Sequence, residues 1–193
     1  MLSFWPVSVP DLASRFRALV AFELIGRLGG EVAGLVVVDM TPRVVNDDGW
    51  QLGLLGGYGP AQAERAPDLM RRDWPLWVET FLPTVFAADV APDPRLLDWV
   101  AREMRACDPD AMAALWRAIT DADYRALLPS IKAPTLIVQG AESQLYGPAT
   151  AAWLKQAIPA AEIATISRAG HAPHLEQPSD FNRLLAEFID GIN

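Results

Sequence analysis

Three apolar, β-branched runs punctuate the chain: AGLVVVDM (Ala33–Met40), APTLIVQG (Ala133–Gly140) and AEIATISR (Ala161–Arg168). The first two are continuous rather than alternating, the pattern of strands covered on both faces in a parallel sheet. Elsewhere apolar positions return every three or four residues, as on one face of a helix. DLASRFRALVAFELIGRL (Asp11–Leu28) predicts a helix with Asp11 as its N-cap and Gly29–Gly30 as its stop. Its second half is apolar on nearly every face and is expected to be buried on several sides. GPATAAWLKQAI (Gly147–Ile158) and PSDFNRLLAEFIDGI (Pro178–Ile192) predict helices after the second and third strands.

Residues 60–128 break this alternation. PLWVETFLPTVFAA, PRLLDWVAREMRA and PDAMAALWRAI each carry helical spacing and each begin at a proline. They predict a helical insertion rich in tryptophan (Trp74, Trp77, Trp99 and Trp116). On either side of it, strand–helix alternation implies an α/β fold with a parallel sheet and right-handed crossovers. Ligands of such sheets gather beyond the carboxyl ends of the strands. Asp39, Glu142–Ser143 and His171 all fall there, from three separate strands.

Composition narrows the partners. The 193 residues suit one domain of moderate size, and 51% are apolar, enough for a substantial core. A formal charge of -8 argues against nucleic-acid and anionic-membrane surfaces. Cys107 is the single cysteine, so neither a disulfide framework nor a cysteine-built metal site is expected. That usage suits a reducing cytoplasm. No stretch reaches the apolar length of a membrane helix, and MLSFWPVSVPDL lacks the basic start of an export signal.

Candidate chemistry centres on SRAGHAPHLEQP (Ser167–Pro178). His171 stands in a glycine-flanked loop after a strand, where an imidazole can act as a general base for a hydroxyl nucleophile. His174 and Glu176 nearby raise the alternative of a metal site, but nothing else in the chain has metal-ligand spacing. No metal and no cofactor are expected. A base needs an orienting carboxylate. The loop GAESQLY carries Ser143 where an aspartate would be sought, with Glu142 beside it. Asp39, at the end of the first strand, either caps the turn before Thr41–Pro42 or orients His171. The lack of an obvious acid in the other loop favours the second role.

The segments LVVVDMTPR, PTLIVQGAESQLY and GHAPHLEQPSDFNRLLAEFI resemble the last three strands of an α/β-hydrolase. The likeness runs from about residue 18 to the end. It is nearest to bacterial esterase-like members whose acid follows strand six and whose strand-seven loop carries a Gly-x-x-Ser-like segment. The resemblance implies a partial α/β-hydrolase fold, with core portions at 1–59 and 129–193 and a helical cap at 60–128. It also implies Asp39 as acid and His171 as base, in the chain order Ser…Asp…His. The implied reaction is cofactor-independent hydrolysis of a small apolar ester or acyl compound. Trp74, Trp77, Phe81 and Phe86 would then line the pocket or form the cap's own core.

The family's nucleophile sits in Gly-x-Ser-x-Gly, because the strained turn tolerates little more than glycine at its flanks. Here the residues before ALVAF read DLASRFR: Ala13, Phe16 and Arg17 stand about Ser14, and counting back places Arg15 near the nucleophile position. Ser14 is a weak candidate and a helical surface serine is the simpler role. Three readings follow: a hydrolase scaffold that is a poor catalyst alone, a non-catalytic ligand-binding module, or a truncated or mis-started hydrolase. An unpaired edge on the first strand predicts self-association unless a segment such as Val7–Val9 covers it.

Overall fold

The computed structural model describes residues 19–25, 27 and 32–192. Val7–Val9, Asp11, Ser14 and Arg15 lie outside the described residues, as does the helix stop at Gly29–Gly30. The described residues contain a three-stranded parallel sheet in the order β1 (Leu35–Val38), β2 (Thr135–Gly140), β3 (Ala161–Ile166). Each predicted strand is present, and all three are shorter at one or both ends. Gly34 precedes β1 because a Cβ there would meet Ile192 Cδ1 at 2.8 Å. β1 ends where Asp39 adopts a left-handed φ of 40°.

β2 is central, and every residue of it is buried. Its alternate side chains feed two cores. Ile137 joins Leu154 and Ile158 on one side, while Leu136 and Val138 join Ile166 and Phe188 on the other. The first layer is supplied by α6 (Pro148–Ala157) and the second by α8 (Pro178–Gly191). This two-sided cover is why LIV runs on without polar interruption. The described part of α1 (residues 19–25) buries Leu19, Phe22 and Ile25 and exposes Val20 and Leu24. Among the described residues it is thus covered on one face rather than on several, because the remaining elements pack only against that side.

Between β1 and β2 lie α2 (Pro60–Arg72), α3 (Trp74–Phe81), α4 (Pro94–Arg105) and α5 (Pro109–Asp121). Their starts are written locally. Asp73, Asp93 and Asp108 accept the amides of Leu76, Arg95 and Ala111, and proline occupies the first or second helical position each time. The long PLWVETFLPTVFAA run ends as an α-helix at Phe81. It continues as a 3₁₀ turn over Leu82–Val85, because Pro83 lacks the amide needed to prolong the α-helical ladder. Two helices were not anticipated: α2, whose segment was not singled out, and the short α7 (Pro173–Glu176) directly after His171.

Candidate active site

Asp39 leaves β1 at its carboxyl end, with its amide still bonded to Val138 O at 2.7 Å. His171 lies in the loop after β3. Parallel pairing in register (Val38 with Val138, Gly140 with Ile166) brings these strand ends to one rim. There His171 Nδ1 lies 2.8 Å from Asp39 Oδ2, with both side chains almost wholly buried. An ionised carboxylate only accepts hydrogen bonds, so Nδ1 carries the proton and Nε2 becomes the basic nitrogen. A general base needs that tautomer.

The buried carboxylate has a second donor. Ser143 Oγ donates to the same Oδ2 at 2.7 Å and accepts the amides of Leu145 and Tyr146, each at 3.3 Å. Tyr146 also sets its ring against the imidazole, with centroids 5.8 Å apart. Glu142 Oε2 instead accepts the amide of Ala169 at 3.1 Å.

Glu176 takes the next amide, Gly170 N, on Oε2 at 2.7 Å, and with Oε1 accepts Ala87 N at 2.8 Å. One carboxylate therefore ties the histidine loop to the segment that ends the 3₁₀ turn. Ala172 N adds a bond to Val85 O at 3.2 Å, and Gln144 Nε2 donates to the carbonyls of Pro83 and Phe86. The glycine before His171 serves this close approach: a Cβ on Gly170 would lie 2.3 Å from the Phe86 carbonyl carbon. The His174 ring lies 5.7 Å from that of Phe181. Among the described residues no group of three His, Cys, Asp or Glu side chains is arranged to hold a metal.

The four aromatic positions divide. Trp74 is buried within the insertion and donates to Met104 O at 3.1 Å. Trp77 and Phe81 pack edge-on against Trp116, at 6.0 and 6.3 Å between ring centroids. Trp77 also borders a surface groove of about 450 Å³ with Leu69, Leu76 and Thr80. Phe86 is buried against the Gly170 backbone. Trp116 Nε1 donates to Tyr58 Oη at 2.7 Å, and burial pushes the Tyr58 phenol above its ordinary pKa.

Sequence reasoning missed what Ser143 and Glu176 do. The first was noticed only as a position lacking an acid, although a serine beside a buried carboxylate is itself a donor. The second depends on backbone amides, which carry no side-chain pattern to read.

Comparison with known proteins shows what the chain as a whole is similar to. Residues 5–184 match the family described as the alpha/beta hydrolase family. A pimeloyl-(acyl-carrier protein) methyl ester esterase of Nitrosospira multiformis is 29% identical over 174 residues, covering 88% of this chain and 64% of that protein. A strigolactone esterase of Arabidopsis thaliana is 26% identical over 156 residues, covering 80% and 54%. The chain thus spans less than two thirds of either relative. Among solved structures, an esterase from Exiguobacterium antarcticum superposes with a TM-score of 0.79 at 20% identity, covering 90% of this chain and 63% of that one. The enol-lactonase of Burkholderia xenovorans gives 0.78 at 21%, covering 91% and 63%.

Proposed function

Because the chain belongs to the alpha/beta hydrolase family, we propose that it carries the acid–base pair of a cofactor-independent ester hydrolase. The observation that carries this reading is the buried 2.8 Å contact between His171 Nδ1 and Asp39 Oδ2. With Asp39 holding the tautomer, Nε2 of His171 takes the proton of an attacking hydroxyl and returns it to the leaving alcohol. Asp39 stabilises the imidazolium formed between those steps. Ser14, in the stretch before ALVAF, is the weak nucleophile candidate that the sequence offers.

The insertion at 60–128 serves in this reading as a cap beside the rim. Its contacts to the histidine loop through Ala87, Phe86 and Val85 support that role. Helices α2 to α5 span seven arginines and no lysine against eleven carboxylates, so an uncharged apolar ester suits this surface better than an anionic one.

A fluorophosphonate probe, with hydrolysis of short p-nitrophenyl esters, tests the proposal. Labelling and turnover that vanish in His171→Ala are expected if the chain holds its own nucleophile. Activity indifferent to His171→Ala overturns the assignment. The second reading is a ligand-binding module on the same scaffold, favoured by the absence of Gly-x-Ser-x-Gly from the sequence. A folded chain that binds esters without labelling selects it.

A further inference from the structure

We propose that Ser143 is a positioning residue of this site: its hydroxyl shares the charge of the Asp39 carboxylate and keeps it aimed at His171, in place of a second acid. This rests on reading Asp39 and His171 as the acid–base pair. A hydroxyl has one proton to give and two lone pairs to receive. At Ser143 the amides of Leu145 and Tyr146 both point to Oγ, at 3.3 Å each, and occupy the accepting side. The single proton is thereby directed to Asp39 Oδ2, 2.7 Å away.

That oxygen needs the help. It is buried, and it already accepts from His171 Nδ1. A buried carboxylate stays ionised only where donors replace the water it has lost. Backbone amides polarise the serine, the serine stabilises the carboxylate, and the carboxylate fixes the imidazole.

The same geometry explains why residue 143 is not itself an acid. A carboxylate there would stand against Asp39 Oδ2, and two anions so close cannot both remain ionised. Serine fills the place and supplies a donor with no charge. Asp39 and Ser143 are therefore complementary: an acid on β1 calls for a neutral donor after β2.

Among the described residues, the other titratable groups about the pair are the Tyr146 phenol and the carboxylates of Glu142 and Glu176. The first lies beside the imidazole, and the two carboxylates hold the amides of Ala169 and Gly170. All three stay in place in the variants below.

The test follows the ring resonances of His171 against pH by NMR in the full chain. The chain has two histidines, so His174→Gln assigns the signals. Without the serine proton, Oδ2 becomes the stronger acceptor and favours imidazolium. In Ser143→Ala the His171 midpoint should therefore rise by about one pH unit, a tenfold gain in proton affinity. Ser143→Thr, which keeps the hydroxyl, should return it to within a few tenths of the parent. If Ser143→Ala does not fold by circular dichroism, Ser143→Cys carries the same expectation, because a thiol is a weak donor. A midpoint that is unchanged or lower overturns the role of Ser143. A midpoint indifferent to Asp39→Asn sinks the acid–base pair itself, so the two failures are told apart without measuring hydrolysis.

Discussion

A Cβ on Gly140 would lie 1.9 Å from the carbonyl oxygen of Gly170. Strand β2 and the histidine loop thus meet backbone to backbone, and Gly170 in turn lies against Phe86 and Ala87. We expect Gly140→Ala and Gly170→Ala each to cost about 2 kcal/mol or more, since backbone has little room to yield. Gly191→Ala, where a Cβ would meet nothing within 4 Å, should stay within about 0.5 kcal/mol of the parent. Urea midpoints at matched slope decide it, and equal midpoints for all three would show that the stack relaxes freely.

Asp39→Asn should leave the fold in place and remove the carboxylate that fixes the imidazole tautomer. Wherever turnover or probe labelling is measurable, the rate should fall by roughly 10³–10⁴. A loss under tenfold would mean that His171 is oriented by something else.

Glu176→Gln changes one atom, and its effect should reach the histidine. Both carboxylate oxygens accept backbone amides, whereas a glutamine can accept at one end only. Either Ala87 N or Gly170 N then faces an amide donor. Hydrogen exchange should speed at one of the two positions, with a stability loss of about 1–3 kcal/mol for the donor left unsatisfied. Exchange unchanged at both would show that the tie is replaceable by water.

Acid should weaken the ion-pair cluster of Arg43, Asp47, Asp123 and Arg125. The Arg125 guanidinium, donating to both carboxylate oxygens, holds the Asp123 carboxyl below the ordinary range. Arg43 does the same for Asp47, with help from the Gly49 amide. A carboxyl whose folded pKa is depressed contributes stability above the unfolded value near 4, and loses it as pH falls through the folded value. The stability gap between the parent and Asp123→Asn should therefore be open at pH 7 and narrow towards pH 3. A gap independent of pH would remove ion pairing as its cause.

Self-association is expected of the exposed apolar positions on α1. Val20 and Leu24 are about half exposed, and with Leu115 they border a groove of about 410 Å³. Sedimentation velocity should show mass rising with concentration, and less so in Val20→Glu or Leu24→Lys. A monomer at all concentrations rejects the expectation.

The sequence by itself determined the three strands and most of the helices. Continuous LVVV and TLIV runs mark strands covered on both sides, and Asp–Pro pairs mark the starts of α4 and α5. These signals are local, because a strand's cover and a helix's cap are written within a few residues. The histidine loop was legible for the same reason, as a glycine, a histidine and a proline after a strand. What remained for the tertiary structure was everything joined across distance. Asp39 and His171 are 132 positions apart, and only the register of three parallel strands brings their atoms to 2.8 Å. Ser143 read as a missing acid until its hydroxyl was seen on Asp39, and Glu176 binds amides that have no letter in the sequence. A hydrogen bond between remote residues depends on orientation to a few tenths of an ångström, which packing fixes and residue order does not.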